Sequence, residues 1–327
     1  MAQIPPRLKR HANIRVIAPA LSLTSMSWSD IQQATKTLEK LGFSVSLGTH
    51  VNEANTFNSA TIESRVHDFE EAFSDAGVDG ILTVNGGFNS HELLERINWK
   101  IIKNNPKPLC GYSDITALNN ALLAQADIIS YSGPHFSTFA MKYHIEETIN
   151  YFIKCLCHDK PYNILPSKYW SDDKWWEDQE NRTLIPNQGW QVVNPGYAEG
   201  TIIGGNLSTL MLLRGTRFMP MPSECLLFIE EAGAVQFETF YRNLSSFSLM
   251  ESSSQIKAIL IGRFQKASPI DRDLLKALPR LNPFFRHMPI IAGVDIGHTY
   301  PLVTFPIGGK ARIVASESNP SIEILEH

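Results

Sequence analysis

Three side-chain types that together make a hydrolytic centre fall at the ends of strand-like runs in this 327-residue chain. In "PLCGYSDITALNNALL" (108–123) an apolar run meets Gly111-Tyr112-Ser113-Asp114, and a helix-like stretch follows at once. A serine hydroxyl is a weak nucleophile at neutral pH. It needs an adjacent base, usually a histidine oriented by a carboxylate, and backbone N–H donors aimed at the developing oxyanion. A strand–sharp turn–helix element exposes the hydroxyl and sets helix-start amides beside it. Ser113 fits that element, although Ile115 stands where the elbow pattern G-x-S-x-G has its second glycine. The same residues also read as an ordinary helix start capped by Ser113 or Asp114.

The partners are sought at other strand ends. Gly86-Gly87, in "VNGGFNS", follows an apolar run and lets a backbone approach a ligand closely. The Gly87 and Asp114 N–H groups are therefore candidate oxyanion donors. The alternative is a tight turn with Asn89 as cap and Glu92 closing a capping box. Of ten histidines, His11, His50, His67, His91, His144, His158 and His327 lie in polar, surface-like contexts. His135, in "SGPHFS", and His298, in "GVDIGHTYP", directly follow strand-like runs and are the candidate bases. Glu230 and Glu231 end the apolar run "LLFIEE"; strand alternation sends only one of them toward any one site, and burying an acid requires a partner.

The elements that must carry these residues alternate between strand and helix. Strand-like runs cover 14–20, 43–48, 78–84, "KPLCGY" and 127–133. Between them, Ile31, Ala34, Leu38 and Leu41 share one helical face, as do Ile62, Val66, Phe69 and Phe73, the second helix having Thr61 as N-cap. "NGGFNSHELLERI" reads as a glycine turn running into a helix. This alternation predicts an α/β fold with a doubly wound, mainly parallel sheet, whose ligands sit at the carboxyl ends of its strands. Residues 160–198 hold four of the six tryptophans and show no clean periodicity, as a functional loop or linker would. Strand and helix signals resume at 199–205, 225–231, 256–262 and 289–297, with terminal strands in "LVTFPIG" and "ARIVAS". The expected division is 1–165 for the nucleophile domain, 166–198 for a junction and substrate-facing loop, and 199–327 for a second domain.

Composition narrows the function further. A net charge of −4 and scattered basic residues give no reason to expect a nucleic acid polymer or a membrane as partner. No apolar run reaches the ~18 residues of a membrane span, and the first residues lack a signal-peptide pattern, so a cytoplasmic protein is expected. Cys110, Cys155, Cys157 and Cys225 lack metal-ligand spacing and read as reduced thiols; no metal is expected.

In order along the chain, "GGFNSHELL", "GYSDITAL", "GTIIGGNLSTL", "LLFIEEAG" and "GVDIGHTYP" resemble the LD-carboxypeptidase family of serine peptidases, including its microcin C self-immunity branch. The likeness spans essentially the whole chain. It implies a class I glutamine amidotransferase-like N-terminal domain, a swivelling C-terminal β/α domain, a homodimer, and no metal or organic cofactor. It also implies a triad of Ser113, Glu230 and His298, with oxyanion donors at Gly87 and Asp114. Asn85 and Asn89 depart from the peptidoglycan-recycling pattern, which has Arg and Gly there. The "GG-x-N-S" form, the Trp-rich loop and "NQGW" are closer to the immunity branch. On that reading Asn89, Ser90, Trp175, Trp176 and Trp190 are candidate substrate contacts, the tryptophans by stacking on a nucleobase; each could equally pack the domain junction. The implied activity is serine carboxypeptidase or amidase action on a muropeptide or an aminoacyl nucleotide. The alternative is a non-catalytic module that sequesters such a ligand in the same cleft.

Overall fold

The computed structural model describes residues 2–327. Its first sheet has six strands, in the order Ser44–Leu47, Asn13–Ile17, Gly80–Thr83, Leu109–Cys110, Ser130–Ser132 and Phe305–Ile307. The first five run parallel and the last antiparallel. Gly80–Thr83 and Leu109–Cys110 are buried throughout, as parallel strands covered on both faces must be. Helices Trp28–Lys40 and Ile62–Ser74 flank the sheet, and the Thr61 side chain accepts the Ser64 N–H, the cap the sequence predicts. This is the doubly wound arrangement expected from the alternation.

The second sheet has eight strands, in the order Tyr162–Ile164, Ser321–Glu326, Lys310–Ala315, Gly196–Asn206, Cys225–Glu230, Ile256–Gly262, Ile290–Val294 and Gln191–Asn194. Its four central strands, Gly196–Asn206 to Ile290–Val294, are parallel. The two sheets exchange chain. Tyr162–Ile164 and Gln191–Asn194 belong to the second, whereas Phe305–Ile307 returns to the first. No helix among the described residues is long and apolar enough to cross a membrane.

Several local expectations change. The stretch after Gly86-Gly87 forms only a 3-10 turn, Ser90–Leu93, instead of a helix. No capping box closes there: the Asn89 side chain pairs with Ser59, and Glu92 pairs with Arg65 at 2.6 Å. The Trp-rich segment contains a short hairpin, Tyr169–Trp170 with Ile185–Pro186. His327, read as surface, is buried, with its ring nitrogens 2.8 and 3.0 Å from the Cys155 and Lys160 carbonyls.

One contact matters most for placing the site. Helix Thr116–Ala126, which follows Ser113, packs on strand Gly196–Asn206 of the other sheet. The buried Asn120 amide donates to the Gly204 carbonyl at 2.7 Å and accepts the Gly204 N–H at 3.2 Å. Thr116 Oγ1 accepts the Asn206 N–H at 2.8 Å. Gly205 permits this approach, since a Cβ there would lie 2.3 Å from Thr116 Oγ1. Asn120→Ala leaves two buried backbone groups unpaired. It is expected to cost about 2–3 kcal/mol, read as a lower urea midpoint at unchanged m-value.

Candidate active site

Ser113 sits at the carboxyl end of strand Leu109–Cys110, on the turn into the helix. Its φ of +58° is a left-handed conformation that side-chain-bearing residues seldom adopt. Such strain holds the hydroxyl out of the sheet, as a nucleophile elbow does. Neither Ser113 nor Asp114 caps the helix with its side chain. The Asp114 carboxylate instead accepts the Ser90 N–H at 2.8 Å, and the Ser90 hydroxyl donates to the Asp114 carbonyl at 2.7 Å. Burial pushes the Asp114 carboxyl up, against the Ser90 hydrogen bonds.

The second sheet supplies the other two residues. His298 Nε2 lies 3.0 Å from Ser113 Oγ, and its Nδ1 lies 2.6 Å from Glu230 Oε2. Glu230 ends strand Cys225–Glu230 and is 3% exposed. Gly297, at φ +96°, lets the chain pass over it, because a Cβ there would lie 2.4 Å from Glu230 Oε2. His298 lies where the chain crosses from the second sheet back to the first, between Ile290–Val294 and Phe305–Ile307. Burial pulls the His298 pKa down, but the charge and hydrogen bond of Glu230, with Glu231 beyond it, outweigh burial and raise it. Glu231 points elsewhere and accepts the Ser208 hydroxyl at 2.7 Å; burial pushes its carboxyl up to about 7.

A cavity of about 490 Å³ opens over these groups, walled by Asn85, Gly86, Gly87, Tyr112, Trp175, Trp176 and Tyr300 among others. The Gly87 and Asp114 N–H groups make no backbone or side-chain hydrogen bond among the described residues, so both remain available as donors. A larger hollow, about 760 Å³, is lined by Tyr197, Glu224 and Lys257 at the opposite end of the second sheet. Its serines, Ser253 and Ser254, make no hydrogen bond to its histidine, His287, among the described residues, and open α/β sheets bind at the other end.

The remaining candidates divide. Trp175, buried, and Trp176, largely exposed, both wall the cavity, with ring centroids 5.8 Å apart and edge to face. Trp190 does not line it; the ring packs, half-buried, against the apolar core. Asn89 and Ser90 are buried behind the glycine loop, and their polar atoms are used on Ser59 and Asp114, so they brace the Gly86-Gly87 turn. His135 also lines the cavity but makes no hydrogen bond to Ser113. It lies buried with Nδ1 2.8 Å from Thr83 Oγ1, and burial lowers its pKa to about 3. Sequence reasoning missed Asp295, three residues before His298. Its carboxylate accepts from Arg263 at 2.5 Å and from the Ser167 N–H and hydroxyl at 2.8 and 2.9 Å, anchoring the histidine loop. Its setting in "GVDIGH" was the available signal.

The comparisons with known proteins agree with this architecture. The LD-carboxypeptidase N-terminal domain matches residues 14–133 and the LD-carboxypeptidase C-terminal domain residues 199–313. The chain belongs to the LD-carboxypeptidase family. It is 49% identical over 321 residues to "Putative carboxypeptidase YocD" of Bacillus subtilis, covering 98% of this chain and 99% of that protein. The crystal structure of an MccF-like protein from Bacillus anthracis matches with a TM-score of 0.98 at 45% identity, over 100% of both chains. The microcin C7 self-immunity protein MccF of Escherichia coli is 29% identical over 299 residues, 87% of this chain and 85% of that protein. A structure of MccF in complex with glutamyl sulfamoyl guanosine matches with a TM-score of 0.89 at 26% identity, over 99% of this chain and 98% of that one.

The raised His298 pKa has a sign that can be measured. A general base must be neutral, so a raised pKa moves the acid limb of kcat/KM above the ordinary histidine value of about 6.5. Glu230→Gln removes the largest raising influence and leaves only Glu231 against burial. The limb is then expected at lower pH than in the unsubstituted protein, with activity reduced by on the order of 10²–10⁴.

Proposed function

We propose that this protein is a serine hydrolase that cleaves an amide bond near a C-terminus, with Ser113, His298 and Glu230 as its triad. The observation that carries the reading is the 3.0 and 2.6 Å relay from a strained serine through histidine to a buried carboxylate. His298 Nε2 takes the Ser113 proton as Oγ adds to the scissile carbonyl. Glu230 holds Nδ1–H in place and stabilises the imidazolium. The Gly87 and Asp114 amides receive the oxyanion. The imidazolium then protonates the leaving nitrogen, and water activated by the same base hydrolyses the acyl-enzyme.

Two substrate classes fit. The family's name points to a peptide ending in a D-amino acid, such as the L-Lys–D-Ala bond of a muropeptide. MccF, seen with glutamyl sulfamoyl guanosine, points to the acyl–nitrogen bond of an aminoacyl nucleotide. The exposed face of Trp176 beside the cavity supports the second, because a tryptophan face stacks on nucleobases.

The test is a paired assay on a muramoyl tetrapeptide and an aminoacyl sulfamoyl-adenosine, with products followed by mass spectrometry. Turnover of at least one is expected, lost by on the order of 10⁴-fold or more in Ser113→Ala. Tight binding of both without turnover would identify a sequestering module instead.

A further inference from the structure

Gly86, unlike Gly87, does not have a positive φ, so its lack of a side chain serves space and not backbone conformation. A Cβ there would lie 3.0 Å from Ser113 Oγ and 3.6 Å from His135 Nε2. Both atoms therefore border one gap beside the nucleophile, in the cavity that Gly86, Ser113 and His135 all line. His135 is 1% exposed, and its Nε2 has no hydrogen-bond partner among the described residues. Buried polar atoms are nearly always paired. An exception at the wall of a cavity marks a place where a ligand supplies the partner.

The neighbours decide what Nε2 can bind. The Thr83 hydroxyl has one proton and donates it to the Cys110 carbonyl at 3.5 Å, so it accepts the His135 Nδ1–H at 2.8 Å. A neutral imidazole carries a single N–H, which leaves Nε2 as a lone pair. Burial keeps the ring neutral, with a pKa of about 3. The Tyr112 ring packs on it at 4.4 Å between centroids and holds its plane. Among the described residues, Asp30 is the sole carboxylate in the cavity wall, and no lysine or arginine lines it. Such a wall favours a hydrogen-bond donor or a cation over an anion.

In acyl transfer the leaving nitrogen must meet His298, and the carbonyl oxygen the Gly87 and Asp114 amides. The next polar atom out from the attacked carbon is the nitrogen on the acyl residue's α-carbon. We propose that His135 Nε2 accepts a hydrogen bond from that nitrogen and so fixes the acyl residue beside Ser113. The donor is an ammonium in an aminoacyl nucleotide and an amide N–H in a peptide. Which ligand nitrogen is held rests on the hydrolase reading; that the Nε2 lone pair meets a ligand N–H does not.

The test uses Ser113→Ala protein, so that binding is read without turnover. Calorimetry compares glutamyl sulfamoyl-adenosine with glutaryl sulfamoyl-adenosine, which lacks only the α-amino group. A second pair is N-acetyl-L-lysyl-D-alanine and its ester analogue, with oxygen in place of the α-nitrogen. The donor-bearing member of at least one pair is expected to bind on the order of 10- to 100-fold more tightly. The pair that shows this preference identifies the source of the donor. His135→Phe, which keeps a ring against Tyr112, should abolish the preference and leave the donor-free ligand's affinity unchanged, which also shows that the variant is folded. His135→Gln, whose amide oxygen can accept, should keep part of it. No preference in either pair, a preference that survives His135→Phe, or equal weakening of both members of a pair by both variants overturns the proposal. Those results leave the hydrolase reading standing if the native protein still turns a substrate over. A preference that depends on His135 in a protein whose Ser113 form turns nothing over supports the contact and removes only the hydrolase reading.

Discussion

Everything at the site depends on how one helix is fastened to a strand of the other sheet. Ser113 belongs to the first sheet, and Glu230 and His298 are carried by the second. The distances among these three side chains therefore depend on the register between two layers, not on any single loop. Asn120 sets that register. Its side-chain amide pairs with both the N–H and the C=O of Gly204, on the strand next to Glu230's and two register positions before it, while Thr116 takes the next amide but one. These groups are buried, so water cannot replace the lost partners, and the arrangement is either complete or costly. The strand exchange acts in the same direction. The chain that bears His298 leaves the second sheet at Val294 and pairs in the first from Phe305.

The charges around the triad follow from that burial. An ionised acid taken out of water needs a partner, and Glu230 has His298 at 2.6 Å. Glu231, the residue after the strand, faces away to Ser208, and burial pushes its carboxyl toward neutrality. Two adjacent glutamates thus occupy different electrostatic states because strand alternation gives them different neighbours. His135 shows the opposite limit: an imidazole so enclosed that it stays neutral, and hence unsuited to the role proposed for His298.

Much of this was legible in the sequence, and the failures have physical causes. The parallel strands were visible because segments buried on both faces must be apolar. The proposed triad was legible because Ser113, Glu230 and His298 each follow an apolar strand-like run beside turn residues. Ser113 was locally ambiguous, since a helix start and a nucleophile elbow use the same residue types; the positive φ that separates them is a tertiary property. Asn89 and Ser90 were misassigned because polar residues beside a glycine loop look alike whether they meet a ligand or brace the loop. Trp190 was indistinguishable from Trp175 and Trp176 by type and neighbourhood, and only packing turns it against the core and away from the cavity. The clasp of Asn120 on Gly204 left no local signal at all, because it joins residues far apart in the chain.

The central claim is that the two sheets assemble one activated serine. The most direct measurement is labelling of the native protein with a serine-directed fluorophosphonate, followed by peptide mapping. A single adduct on Ser113, absent in His298→Ala, is expected. An unlabelled protein, or an adduct on another residue, would contradict the account.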